Sequence, residues 1–127
     1  MKKELNLRFP VPREIVLNSN QPLAHRVKAL RVKALREMAE SLGGTLSEAP
    51  FDFFTIDVYV YPPSNRRIDP PNLYPTAKPL IDGLTDANLW EDDDYSHLYR
   101  TSFYYGGRSG CPDLFLLELK VKEIERK

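Results

Sequence analysis

The pattern of apolar and polar residues along the chain predicts four β-strands. Residues 4–9, 53–61 and 97–105 alternate with a period of two, which is typical of strands that bury one face, and residues 114–124 give a final strand. The last two of these segments are separated by a glycine-rich turn over residues 106–112. We expect these two strands to pair as a hairpin.

The first of two predicted helices covers residues 22–42. Gly43 and Gly44 are expected to stop it, and Asn20 or Gln21 is placed to cap it. Its predicted buried stripe follows the helical period and consists of Leu23, Val27, Leu30, Ala34 and Met38.

The second predicted helix covers residues 75–87, with Asn72 placed to cap it. Pro79 lies inside this pattern, so the helix should either kink or begin later. Asn88 can adopt the left-handed conformation at the helix end, and Trp90 is expected to anchor the chain as it leaves. The predicted buried stripe is Leu80, Leu84 and Ala87.

The order of these elements, β-α-β-α-β-β, predicts an α+β fold in which two helices pack on a four-stranded mixed sheet. The second helix connects the second and third strands as a crossover, which allows them to be parallel neighbours. A chain of 127 residues with 42% hydrophobic content is long enough for one core and too short for two ordinary domains. We therefore interpret residues 1–127 as a single domain.

Composition narrows the class of protein. No apolar run approaches the roughly 20 residues of a membrane span, and the first residues lack the apolar region of a secretory signal. We expect a cytoplasmic protein with no membrane contact. Cys111 is the sole cysteine, which excludes an internal disulfide and a cysteine-based zinc site. Because His25 and His97 are the two histidines, any metal would be bound mainly through oxygen.

Charge is distributed unevenly along the chain. The net charge of zero, taken alone, speaks against a nucleic-acid partner. However, residues 1–67 carry 11 Lys+Arg against 7 Asp+Glu, and residues 68–127 carry 7 against 11. A basic surface facing phosphate together with an acidic pocket for divalent cations would give this asymmetry, and so would chance.

The first helix carries basic residues without an acidic residue among them. Lys28, Lys33 and Arg36 should project away from the predicted apolar stripe. A solvated helix face and a phosphate-binding face explain this pattern equally well, because basic runs are weak motifs.

Four consecutive acidic residues, 91–94, follow the second helix. Such carboxylates repel one another unless a cation lies among them, and Mg²⁺ is the natural candidate because it prefers oxygen ligands. A solvated acidic turn is the favoured reading from composition alone. Lys78 and Asp82 lie four residues apart on the second helix, which predicts a modest ion pair.

The centre of the chain combines four segments in a fixed order: Arg66-Arg67-Ile68-Asp69-Pro70-Pro71-Asn72-Leu73, Lys78, Asp82-Gly83-Leu84 and Leu89-Trp90-Glu91-Asp92-Asp93. Together they resemble the central motif of the RusA-type Holliday-junction resolvases, a family found in bacteria and their phages. Members of that family are homodimeric, magnesium-dependent endonucleases that resolve four-way DNA junctions by paired nicks.

The resemblance implies a role for each matching residue. Asp69, Asp92 and Asp93 would bind Mg²⁺, and Lys78 would act with Asp69 and Asp93 in catalysis. The implied partner is branched DNA, bound by a homodimer in the cytoplasm of a bacterial cell or a phage-infected host. We predict that the residues contacting DNA are Arg66, Arg67, Asn72, Lys28, Lys33 and Arg36.

The chain departs from the family pattern at two places. Pro71 stands where better-known members carry a second aspartate, and the spacing from Asn72 to Asp82 is longer, which implies an insertion before Lys78. Either Asp94 or Asp82 replaces the lost carboxylate, or the metal keeps more water, or the chain binds junctions and cuts them poorly. A DNA-binding module without nuclease activity and an acidic protein-interaction domain are the alternative functions.

A geometric constraint also follows from the order of the motif. Asp69 precedes the second helix and Asp92 follows it, and a helix of about 12 residues is roughly 18 Å long. Both can bind one metal if the flanking loops fold back along the helix. Alternatively, a dimer places Asp69 of one subunit beside Asp92 and Asp93 of the other.

Overall fold

The computed structural model describes residues 2–46 and 50–126. It confirms the predicted α+β class and the predicted order of elements. Two short 3-10 turns, Arg13–Ile15 and Pro70–Leu73, accompany the main elements. The strands and helices are β1 (Glu4–Pro12), α1 (His25–Gly43), β2 (Phe54–Tyr61), α2 (Tyr74–Asp86), β3 (Leu98–Tyr105) and β4 (Leu114–Glu123).

The four strands form one sheet in the order β1-β4-β2-β3. β2 and β3 are parallel neighbours, as the crossover predicts, and β4 is antiparallel to both β1 and β2. The expected hairpin of β3 and β4 is therefore wrong. Burial explains the difference: β4 buries the consecutive residues 117–119, and so both of its faces, which suits a central strand, whereas no residue of β3 is buried, which suits an edge.

Both helices contribute to one hydrophobic core with the inward side chains of the strands. α1 and α2 cross closely at Gly83. A Cβ atom at this position would lie 2.2 Å from the Arg36 carbonyl oxygen and 2.8 Å from the Ala39 Cβ. Only glycine allows this approach, and the crossing fixes α2 against the second half of α1.

α1 differs from its prediction at its start and in its buried stripe. It begins at His25, and its N-cap Ala24 makes no side-chain capping hydrogen bond, so the expected capping by Asn20 or Gln21 is wrong. It ends at the expected glycine pair. Of the predicted stripe, Val27 is 40% and Leu30 is 63% exposed. The contact at Gly83 involves residues 36–40, and for this reason the helix buries Leu35, Ala39 and Gly43 instead.

α2 begins at Tyr74 and continues through the buried Pro79, so the alternative of a later start is wrong. Asn72 does not cap it, because the Pro70–Leu73 turn leads directly into the helix and Leu73 occupies the N-cap. Leu80 and Leu84 are fully buried as predicted, and Ala87 is half-buried. The Asn72 carbonyl instead accepts hydrogen bonds from the Ser19 N–H (2.9 Å) and hydroxyl (3.2 Å).

Candidate active site

The chain turns sharply after α2, and this turn brings the acidic run back to the helix. Asn88 adopts the predicted left-handed conformation with a φ of 66°, and the Leu89 N–H donates to the Leu84 carbonyl. Trp90 is 1% exposed, stacks on Phe54 with ring centroids 4.5 Å apart, and donates its indole N–H to the Thr85 hydroxyl at 2.6 Å. These contacts confirm Trp90 as an anchor immediately before the acidic run.

Lys78 lies at the centre of the cluster that results. Its Nζ donates to Asp82 Oδ1 at 2.7 Å, which confirms the predicted ion pair, and to Asp93 Oδ2 at 2.8 Å. The Lys78 side chain is 42% exposed, and the side chains of Asp82 and Asp93 are 26% and 15% exposed. The Lys78/Asp82/Asp93 cluster thus joins residues 15 positions apart in sequence at the edge of α2.

Burial and charge shift the protonation equilibria of this cluster in different directions. Burial lowers the pKa of Lys78, but the hydrogen bonds to both carboxylates outweigh it and raise this pKa above its ordinary 10.5. Burial raises the pKa of Asp93, but the hydrogen bond from Lys78 reverses the shift and holds it below 3.8. The pKa of Asp82 is raised, because burial and its contact with Asp93 outweigh Lys78. Asp93 is therefore the more firmly ionised carboxylate.

The other acidic residues of the run make contacts of their own. Asp92 is exposed, and its Oδ1 accepts the Asp93 backbone N–H at 2.7 Å. Asp94 accepts hydrogen bonds from the Ser96 N–H (3.1 Å) and hydroxyl (2.6 Å). Glu91 is exposed. Four adjacent acidic residues coexist here because three of them are exposed to water, and Asp92 and Asp94 order the turn that presents Asp93.

Asp69 lies at the start of the Pro70–Leu73 turn that leads into α2, and its side chain is exposed. The loop after α2 folds back along the helix as far as Lys78, where Asp93 makes its contact. Among the described residues, no three His, Cys, Asp or Glu side chains converge into a group that could hold a metal, and this includes Asp69, Asp92 and Asp93. Pro71 lies in the same turn.

The predicted DNA-contacting residues occupy two exposed surfaces. Arg66 and Arg67 lie on the loop between β2 and α2 and line a shallow cavity of about 230 Å³ with Arg13 and Asn18. Sequence reasoning missed Arg13, because nothing in its local pattern distinguishes it from any other charged residue after a strand. Its place beside Arg66 depends on how the sheet brings the end of β1 to that loop.

The second surface is the outer face of α1. Lys28 and Lys33 are exposed and form no ion pair within residues 2–46 and 50–126. Arg36 is different, because it binds Asp86 of α2 with two hydrogen bonds of 2.6 and 3.0 Å. That bond raises the pKa of Arg36 and lowers the pKa of Asp86. The positive charge of Arg36 is therefore already paired with the carboxylate of Asp86. Lys28 and Lys33 are the stronger candidates for phosphate contacts.

Comparison with known proteins adds no relative. No protein-family model matches the sequence, and no curated protein matches it either. No helix within the described residues is long and apolar enough to cross a membrane.

Proposed function

We propose that this chain is a magnesium-dependent endonuclease that resolves four-way DNA junctions by paired nicks as a homodimer. One observation carries the proposal: Lys78 Nζ lies 2.8 Å from Asp93. The resemblance to RusA-type resolvases assigns catalytic roles to these two residues, which are 15 positions apart, and their contact is independent of that resemblance. We further propose that the protein acts in the cytoplasm of a bacterial cell or a phage-infected host.

The donor set suits Mg²⁺, although no single chain gathers a full set of ligands. Mg²⁺ usually needs only one or two protein carboxylates beside substrate oxygens and water. Asp93 is ionised and partly open to solvent, and Asp92 is its neighbour on the same turn. Asp93 and Asp92 would hold the ion, together with Asp69. When bound, Mg²⁺ would lower the pKa of a coordinated water and balance charge on the phosphodiester.

The chain's own residues have separate tasks in this proposal. Lys78 presents an ammonium with one N–H donor left over after its bonds to Asp82 and Asp93, and this donor stabilises the charge that develops on the phosphate oxygens. The basic side chains bind backbone phosphates and set the position of the junction. They are Arg66, Arg67, Lys28 and Lys33, with Asn72 beside the loop.

A junction-cleavage assay tests the proposal directly. Purified protein is mixed with a synthetic four-way junction or a linear duplex of the same sequence, in MgCl₂ or in EDTA. We expect symmetric nicks in the junction alone, dependent on MgCl₂, and binding that weakens steeply with salt because several phosphate contacts release counterions.

Two other outcomes would overturn the proposal. Retention of the junction without nicking would identify a DNA-binding module, which the proline at position 71 favours. Absence of any binding at low salt would leave an acidic protein-interaction domain.

A test of subunit pairing addresses the position of Asp69. We propose that Asp69 of one subunit completes the site of the other, because Asp69 precedes α2, Asp92 and Asp93 follow it, and they form no metal-binding group of three in the described part of one chain. Differently tagged Asp69→Asn and Asp93→Asn subunits are co-expressed, and the heterodimer is purified. A shared site leaves one centre intact, so the heterodimer should nick one strand of a labelled junction while either homodimer is inactive.

The control for that experiment is a heterodimer of wild-type and Asp93→Asn subunits, which should also retain one centre under either arrangement. If the Asp69→Asn/Asp93→Asn heterodimer stays as inactive as the homodimers while this control nicks, each site is built within one subunit.

A further inference from the structure

We propose that Asp82 is a positioning residue that keeps the Lys78 ammonium at the reaction centre once Asp93 is engaged by the metal ion. The inference rests on the proposed function and deepens it. The geometry that points to it is the pair of hydrogen bonds on one Nζ atom, 2.7 Å to Asp82 and 2.8 Å to Asp93. The metal and catalytic residues implied by the resemblance do not include Asp82, which the sequence offered only as one possible substitute for the carboxylate lost at Pro71.

Two cations compete for Asp93 in the proposed mechanism. A carboxylate that binds Mg²⁺ loses much of its attraction for a neighbouring ammonium, and the divalent ion repels that ammonium directly. Lys78 has a long, flexible side chain that is 42% exposed, so it would swing toward solvent if nothing else held it. To keep the Lys78 ammonium in place, a second carboxylate is needed that does not bind the metal ion.

Asp82 has the position that this task needs. It lies one helical turn beyond Lys78 on α2, the spacing at which side chains of a helix meet. Its side chain is only 26% exposed, and its helix is fixed by the close crossing at Gly83, the next residue. The anchor point of the Lys78 ammonium is thus rigid, whereas Asp93 lies on the turn after the helix.

The competing explanation is an ordinary helix ion pair, worth about 0.2–0.5 kcal/mol of stability and nothing in catalysis. Such a pair would be insensitive to Mg²⁺. A positioning role instead predicts that the loss of Asp82 matters most when Mg²⁺ is present, because Asp93 can hold Lys78 alone in its absence.

The experiment measures how well Lys78 is held, without relying on cleavage. Wild type, Asp82→Asn and Asp82→Glu are labelled briefly with an amine-reactive acetylating reagent in MgCl₂ or EDTA, and acetylation of Lys78 is quantified by mass spectrometry. In MgCl₂ we expect Lys78 of Asp82→Asn to react about tenfold faster than in wild type, as for the loss of one charge-assisted hydrogen bond. In EDTA the difference should be much smaller, and Asp82→Glu should restore protection.

Single-turnover nicking of a junction is measured on the same variants. Asp82→Asn should lower the rate by about 10- to 100-fold, as expected for a displaced catalytic group, while junction retention in EDTA is unchanged. Asp52→Asn is the matched control, because it removes a carboxylate from an arginine ion pair of 2.9 Å outside the cluster. It should label and nick like wild type.

The outcomes separate the two proposals. Equal labelling of Lys78 in wild type and Asp82→Asn in MgCl₂ would overturn the role of Asp82, whatever the nicking rates are. A different result is faster labelling of Lys78 in Asp82→Asn with MgCl₂ but no junction cleavage by wild type. It would support the role of Asp82 in holding Lys78 beside a metal ion and would overturn the proposed nuclease activity.

Discussion

Lys78→Met should lower the rate of junction nicking by about 10²- to 10³-fold, the usual effect of removing one donor that stabilises transition-state charge. Methionine keeps most of the length and apolar character of the lysine stem and is a good helix former, so α2 is retained. The loss would then report the ammonium that lies between Asp82 and Asp93. Single-turnover cleavage of a labelled junction measures it, with Lys120→Met as the control.

Lys120 suits that control because it lies over the ring of Tyr59, 4.6 Å from the centroid, and belongs to β4 rather than to the cluster. Lys120→Met should nick at the wild-type rate. A Lys78→Met protein that folds and nicks within threefold or so of wild type would contradict the role of Lys78, because an ordinary charge-stabilising donor contributes far more than that.

The same substitution should change stability in a pH-dependent way. Because the pKa of Lys78 is raised on folding, the Lys78 ammonium stabilises the folded state fully below pH 10.5, and this stabilisation is lost as the pH rises through the folded-state pKa. Because the pKa of Asp93 is lowered on folding, the Asp93 carboxylate stabilises the folded state above pH 3.8, and this stabilisation is lost as the pH falls through its folded-state pKa. In urea unfolding, Lys78→Met should therefore lower the free energy of unfolding more at pH 7 than at pH 3.

Trp90→Ala should reduce the free energy of unfolding by about 3–5 kcal/mol, the usual range for deleting a large buried aromatic side chain. Trp90 is 1% exposed, stacks on Phe54, and meets Phe51 edge-on with ring centroids 6.4 Å apart. The substitution leaves a cavity in the core and also removes the indole N–H that donates to the Thr85 hydroxyl, which keeps its bond to the Ile81 carbonyl. Urea unfolding followed by circular dichroism measures the change.

Trp90→Phe is the informative comparison, because it keeps an aromatic ring and deletes the indole N–H donor. Trp90→Phe should lower the free energy of unfolding by less than Trp90→Ala does. Since Trp90 fixes the turn that presents Asp93, both variants should also nick more slowly at temperatures where they remain folded. A loss of stability below about 1 kcal/mol for Trp90→Ala would show that the core can collapse around the gap.

The elements of the fold could be predicted from local pattern, but their neighbours in the sheet could not. Period-two alternation located the first three strands, an apolar segment located the fourth, and the crossover rule allowed β2 and β3 to be parallel. The hairpin prediction failed because it used closeness in sequence. The better signal was the continuous apolar character of β4, in which Leu114, Phe115, Leu116 and Leu117 run together before the alternation resumes.

The helix faces show a similar limit. In α1, apolar residues occur on two overlapping stripes, and periodicity could not decide which one is buried. The crossing at Gly83 decides it, and this contact joins two segments that the sequence does not connect locally. For the candidate site, the spacing of Lys78 and Asp82 predicted their ion pair. The contact of Lys78 with Asp93 required the turn at Asn88 and the anchoring of Trp90, which are tertiary features.

The position of β4 in the sheet has a consequence for how the protein is made. Among the described strands β1 pairs with β4 alone, and Arg8 of β1 meets Glu118 of β4 across 110 residues of sequence. During synthesis, β1 and β2 therefore lack their shared neighbour until the ribosome has released residues 114–123. Long-range pairing of this kind folds slowly, and the sheet closes only when those residues are available to pair.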